Sequence, residues 1–489
     1  MTFHISDCRK YSRCARMFVL SAAEEKQPYT PYVRTDEVIG DLAAERIGVS
    51  DPFTGQLGDD PNLALNALED HDWLVRARFE YDGLRIKVPF LHRTEDGWEI
   101  FFLFAGIYPH ANDMEYYCDT VWVLERLGVK ICGMHMIHLN ADYVRGDELD
   151  IEQLFVISDY LYNMKNNPTV PFMEAVADSM YNVSPQLRKM EALDAEQLPP
   201  PVRTPKCAGR QKCSFYERCF PEEADLPDNS ILTLIGARNR YEMNSEGRCY
   251  LRDADEERIE GSPQQYAQIM ADRQGGLFAD KIALQSWLSD AAYPVSFIDF
   301  EWERYAIPPY PGMRPFQVLP FEYSLHILQE DGSVEHKVFL SVHDGRREFT
   351  EAMIRDIPEN GSIIAYNADG AEKIRISELA EQFPEYADQL NDFNRRMKDL
   401  QNPFIAGMIY DVGMRGSWTL KQIMSLMDEP GYSDLEIRQG MDAVFRWRML
   451  DRDEDVNREE IIEDLKKYCG MDTWAMVVVF RWMKKHAEL

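Results

Sequence analysis

A chain of 489 residues, 45% apolar and 12% aromatic, can bury more than one core and is neither disordered nor collagen-like. Its 53 Lys and Arg stand against 84 Asp and Glu, a formal net charge of −31, which excludes a protein held to nucleic acid by a broad basic surface. Any phosphate-binding site must then be a local groove or work through bound cations.

The longest apolar runs, such as residues 101–107, are too short to cross a bilayer, and the first twenty residues contain no signal-type apolar stretch. A cytoplasmic location without a membrane partner is expected. In chain order, the first informative strands are predicted at 84–91 and 98–105. His135 and His138 follow in alternation with apolar residues and read as ordinary strand residues. Leu198-Pro199-Pro200-Pro201, just ahead of Cys207, Cys213 and Cys219, closes an N-terminal domain over 1–225. A helical connector spans 226–290, with helices predicted over 263–272 and 281–288. The last domain, 291–489, opens with strands at 295–301, 316–328 and 334–340, the latter two joined by a turn at Asp331-Gly332. A helix at 349–357, a strand at 362–366 and helices at 372–383, 420–427 and 458–484 complete it.

Phe297-Ile298-Asp299-Phe300-Glu301 carries the chemistry. A strand alternates faces, so Asp299 and Glu301 share one side while Ile298 and Phe300 bury the other. Two adjacent carboxylates on an apolar strand repel, and a divalent cation relieves that cost. Far downstream, Tyr468 and Asp472 stand at i and i+4, one above the other on a helix. The acidic run from Asp451 through Asp453 to Asp464 reads as a solvated helix start. Tyr305, Tyr310, Phe316 and Phe321 read either as base-stacking rings or, for the last two, as strand packing.

Asp-x-Glu on a first strand, an Asn-containing second motif and Tyr-x-x-x-Asp on a late helix resemble the DEDD exonuclease superfamily, tyrosine subtype. The second motif is Asn367-Ala368-Asp369-Gly370-Ala371-Glu372, one residue longer than the usual pattern and without its aromatic, so either Glu372 or Asp369 supplies the third acid. The resemblance implies a ribonuclease-H-like mixed sheet. It also implies Mg²⁺ or Mn²⁺ held by Asp299, Glu301, Asp472 and that third acid, with Tyr468 orienting the attacking water. Asp399-Leu400 and the 416–421 stretch ending in Lys421 fit the family's later, structural pattern.

Cys207-x5-Cys213-x5-Cys219, with Lys206, Arg210, Lys212 and Arg218 around it, sets three thiols on one loop. Cys14 is the leading fourth ligand and Cys8 the second candidate. One early cysteine plus three late ones resembles the RecB-like (PD-(D/E)XK-type) nucleases stapled by a 4Fe–4S cluster, with zinc the alternative metal for Cys₄. That resemblance calls for an acid on the first strand and Glu-x-Lys on the second. The first has no acid, and Phe102 and Phe104 stand where Glu and Lys belong, so the nuclease centre reads as lost; Glu99 and Asp96 are substitutes without a lysine. Together the halves resemble an uncharacterised bacterial and phage family with a RecB-like domain before a DEDD-type one. The expected function is a metal-dependent exonuclease, 3′→5′, with DNA ahead of RNA as partner and a protein partner as a further expectation. The alternative is a non-catalytic nucleic-acid or protein-binding subunit of a defence or repair assembly.

Overall fold

Alternating apolar residues between 73 and 104 produce three antiparallel strands, Trp73–Tyr81, Leu84–Arg93 and Trp98–Phe104. The helix Met114–Arg126 then returns the chain to Ile131–Leu139, parallel to Trp98–Phe104. The computed structural model describes residues 1–24, 34–193, 198, 200–207, 212–427, 429, 431–432, 435–452 and 454–488, without the side chains of 34–37 and 224. Pro199, Arg210 and Asp453 lie outside the described residues.

The chain is mixed α/β with mixed sheets and divides into two units. The first comprises Met1–Val202, Lys206–Phe220 and Tyr305–Gln317; the second Arg203–Pro205, Pro221–Arg304 and Val318–Leu489. In the first, one sheet face buries Leu74, Ile86, Ile100 and Phe102 against the helix Met114–Arg126. The other buries Trp73, Val75, Phe90 and Ile137, joined by Ala306 and Phe316. Phe316 has φ 60°, left-handed rather than extended backbone, and the strand predicted from 316 begins at Val318.

The second unit is a five-stranded sheet. Its strands are β1 (Val295–Arg304), β2 (Val318–Leu328), β3 (Val334–Leu340), β4 (Ser362–Ala365) and β5 (Met397–Asp399), in the order β3-β2-β1-β4-β5. The β1-β2 and β2-β3 pairs are antiparallel, whereas β4 runs parallel to β1 and β5 to β4. The β2-β3 turn is held by Asp331, which accepts the Ser333 N–H at 2.9 Å, and by Gly332 at φ 88°.

Helices α1 (Arg346–Asp356) and α2 (Glu372–Gln382) cover one face, packing Phe349, Met353 and Ile376 on Ile298, Phe300 and Leu325. The opposite face takes α5 (Arg458–His486), which follows α3 (Leu420–Met424) and α4 (Gly440–Asp451) and lays Met476, Val479 and Phe480 on Phe297 and Ile364. Each such apolar side chain removed from water contributes about 1.5–3 kcal/mol. The 226–290 segment is part of this unit: Ala267, Ala271, Leu284 and Leu288 enter the α5-side core, and Leu277–Ala279 pairs with Ile409–Asp411.

Candidate metal centre

Strand register and one long helix build the site. On β1, Asp299 lies opposite Ser324 and Glu301 opposite Glu322; a bulge follows, with Trp302 opposite Pro320, which has no N–H for the ladder. Both acids point to the α5 side, the face that also carries Phe297. On α5, Tyr468 and Asp472 lie one turn apart. Residues beside this pair fasten the helix to the sheet. The Thr473 hydroxyl is hydrogen-bonded to Ser324 Oγ and to His326 Nδ1, each at 2.7 Å, and Cys469 Sγ lies 3.7 Å from the Asp299 carbonyl oxygen.

Asp299, Glu301 and Asp472 thereby place three ligand oxygens within 4.8 Å of one another, Glu301 buried and the others half-buried. Two tyrosines and a lysine close the surroundings. Tyr432 donates its hydroxyl to Asp472 Oδ1 at 2.6 Å, and Lys421 Nζ donates to the Tyr468 hydroxyl at 3.3 Å. Gly440 borders the site, a Cβ there lying 3.8 Å from Glu301 Oε2.

The two candidates for the third acid part company. Asn367 adopts φ 64° and α2 starts at Glu372, whose side chain turns inward and is 1% exposed. Asp369 sits on the turn before it, 64% exposed and paired with Lys373 at 2.6 Å. Asp399, at the end of β5, accepts the N–H groups of Asn367 (2.9 Å) and Gln401 (2.8 Å) and holds this loop.

Burial and mutual repulsion govern the charges. Burial, then Asp472, Glu372, Glu301 and Glu322, push Asp299 well above the carboxylate range, and Glu301 follows, relieved in part by Lys421. Burial lifts Asp472 to about 6 against the pull of Tyr432, Lys421 and Tyr468. Burial also lifts Glu372 to about 8, with Asp399 adding to it. Tyr468 and Tyr432 are held neutral, chiefly by burial and then by Asp472.

Glu322, absent from the sequence reading, is fully buried and has neither carboxylate oxygen hydrogen-bonded among the described residues; Glu372 Oε2 is likewise unpartnered. Such groups cost about 1–3 kcal/mol unless a cation or proton satisfies them. Burial raises Glu322 to about 8. Because its folded value lies above its unfolded one, its contribution is full in acid and is lost as pH rises toward 8. In chelator, Glu322→Met is expected to raise stability at pH 8 by about 1–3 kcal/mol and to flatten that fall, read by urea unfolding at pH 5 and 8. An unchanged pH slope would locate the lost stability elsewhere.

In the first unit, Phe102 is fully buried against Tyr117 and Phe172, ring centroids 4.9 and 5.6 Å away, and Leu84–Arg93 carries no acid. Glu99 belongs to the other sheet face and Asp96 is exposed. His138 is a core residue bonded to Tyr162. Cys14 is exposed, and Cys207, Cys213 and Cys219 are half-buried. Burial raises Cys219, Arg16 lowers it, and Cys213, Cys14 and Cys207 raise it further. Cys8 lies in the core, where burial pushes its thiol up to about 12.

Residues 296–419 match Domain of unknown function (DUF2779). That stretch contains Asp299, Glu301, Asp369 and Glu372 and stops short of Tyr468 and Asp472. No curated protein and no solved structure matches the chain.

Proposed function

We propose that the second unit is a DEDD-type, ribonuclease-H-like exonuclease, hydrolysing phosphodiester bonds of DNA or RNA from the 3′ end with Mg²⁺ or Mn²⁺. The observation that carries this reading is the convergence of Asp299, Glu301 and Asp472, from a central strand and the last helix, with Tyr468 one turn away. The strand order and the long helix across the acid-bearing face support the fold assignment. The residues fit a cation: raised carboxylates around unpartnered, buried oxygens are stable together only when positive charge is added. Asp299, Glu301, Asp472 and Glu372 would hold the ions, Glu372 being favoured over Asp369 by its inward aim. When bound, they would supply Lewis acidity at the phosphate and a water of lowered pKa.

The chain's own groups have separate tasks. Tyr468, neutral and hydrogen-bonded, orients a water at its hydroxyl. Lys421 adds fixed positive charge beside Tyr468, and Tyr432 holds one Asp472 oxygen in place. The first unit is proposed to be a RecB-like domain that has lost its nuclease centre and positions nucleic acid, with Cys14, Cys207, Cys213 and Cys219 on a 4Fe–4S cluster or, alternatively, zinc. Cys213, Cys14 and Cys207 all act on the Cys219 thiol, which supports a shared site.

The net charge of −31 favours a second reading, a binding subunit that needs a partner. One assay separates them: Mn²⁺-dependent degradation of end-labelled single- and double-stranded DNA and RNA by wild type and by Asp299→Ala/Glu301→Ala. Degradation lost in the variant is the expected result. Intact labels in both, with Mn²⁺ bound by wild type, would replace the exonuclease with the binding subunit.

A further inference from the structure

The first unit carries a second cluster of metal-ligating side chains, on the sheet face away from the helix Met114–Arg126 and independent of the proposed exonuclease centre. His92 on Leu84–Arg93 and Glu99 on Trp98–Phe104 are cross-strand partners. Trp98 pairs with Ile131 and Glu99 with Gly133, so Cys132 is the extra residue of a bulge, and His135 follows two residues later on the same face. His92 Nδ1 lies 3.7 Å from Glu99 Oε2, and His135 Nε2 lies 3.9 Å from Glu99 Oε1. Both separations exceed a hydrogen bond, yet two ring nitrogens face one carboxylate from either side. Donors bound at about 2.0–2.2 Å to one tetrahedral ion lie roughly 3.3–3.6 Å apart, a little closer than both separations here.

Three further features favour an ion over a simple charge network. The second nitrogen of His135 is already committed: Nδ1–H donates to Asp159 Oδ1 at 2.6 Å, the carboxylate–histidine arrangement that fixes a ligand's tautomer and strengthens its free nitrogen. Aromatic rings set both imidazole planes, Trp73 stacked on His92 at 4.1 Å and Phe101 on His135 at 4.7 Å. Gly133 leaves the space the carboxylate needs, since a Cβ there would meet Glu99 Cγ at 2.9 Å and His135 Nε2 at 3.2 Å. Among the described residues only the Asp299 group already holds three ligand atoms within 4.8 Å of one another, so His92, Glu99 and His135 must draw closer to close on an ion.

We propose that His92, Glu99 and His135, with Asp159 behind His135, bind one divalent transition-metal ion, zinc foremost. Two imidazoles and one carboxylate suit an ion of borderline softness rather than Mg²⁺ or Ca²⁺. Three protein ligands leave a coordination position for water or an anionic group, and the side chains of His92, Glu99 and His135 remain 33%, 31% and 22% exposed to admit it. The lost nuclease strand face around Phe102 is the opposite face of the same sheet, so this is a separate site.

The test uses the full chain carrying Asp299→Ala/Glu301→Ala, which silences the acidic centre, stripped with chelator and titrated with Co²⁺ and then Zn²⁺. Against this parent, Glu99→Gln and His135→Gln are expected to take up one ion fewer per chain, with loss of visible cobalt bands free of thiolate charge transfer. Asp159→Asn is expected to keep the stoichiometry and weaken binding about 10–100-fold. Equal metal uptake by parent, Glu99→Gln and His135→Gln would overturn the site. So would a missing ion whose cobalt spectrum shows thiolate ligation. Metal-free melting curves identify any variant that fails to fold, and Gly133→Ala, which crowds the Glu99 carboxylate without removing a ligand, then decides by the same count.

Discussion

Asp299→Asn is expected to remove hydrolysis and, in the absence of metal, to raise the melting temperature. Both effects have one cause. Asp299 is pushed toward protonation by burial and by Asp472, Glu372, Glu301 and Glu322, so its charge is a cost that only a cation repays. An amide of the same shape removes the repulsion, for a gain of about 1 kcal/mol. It also removes a proposed ligand, and activity is expected to fall at least about 10³-fold. Mn²⁺ supplied at a hundred times its dissociation constant is expected to stabilise the wild type by about 2.7 kcal/mol, and the variant should lose most of that gain. Thermal melts with and without Mn²⁺, beside the degradation assay, measure all three. A variant still stabilised by Mn²⁺ as strongly as wild type would place the ion elsewhere.

Cys213→Ser has the other large expected effect. If Cys14, Cys207, Cys213 and Cys219 share one metal group, binding it ties the N-terminal helices to a loop some 190 residues away, and the flanking Arg13–Lys206 contact spans a separation of 193. Closing a loop of that length is worth about 5 kcal/mol by chain-entropy arithmetic, an upper figure for a first unit that also has its own core. The expected result is loss of the bound metal, or of brown colour for iron–sulfur, and a lower melting transition. Cys249→Ser, at an exposed thiol outside the quartet, should change neither. Equal metal content in wild type and Cys213→Ser removes the shared group from the account.

The sheet of the second unit could be read in the sequence because its strands are long or sharply bounded. Period-2 alternation marked β1 and β3 within a few residues, and the Asp331-Gly332 turn fixed their connection through β2. β5 escaped: three residues, Met397–Asp399, carry no period, and only pairing with β4 defines them. α4 escaped because its apolar residues do not form a narrow stripe; Trp447 stacks on Phe321, the ring that strand packing accounts for. The Asp299–Glu301 and Tyr468–Asp472 pairs were legible as local spacings. The choice between Asp369 and Glu372 was not, since it depends on where α2 begins and on Lys373 capturing Asp369. Tyr432 and Glu322 reach the site through a loop and a neighbouring strand, which no spacing rule encodes.

The distance along the chain between the two halves of the acidic centre sets a timetable. Asp299 leaves the ribosome well ahead of the helix that completes its surroundings, Cys469 following it by 170 residues. At 5–20 residues per second the interval is roughly 10–30 s. Throughout it, β1 exposes Phe297, Asp299 and Glu301 to a helix not yet made, and the apolar face awaiting Met476 and Phe480 stays wet. On the proposed function, cutting ability arrives as a single late event of synthesis, and a nascent chain leaves nucleic acid, the message being translated included, intact until the helix Arg458–His486 docks.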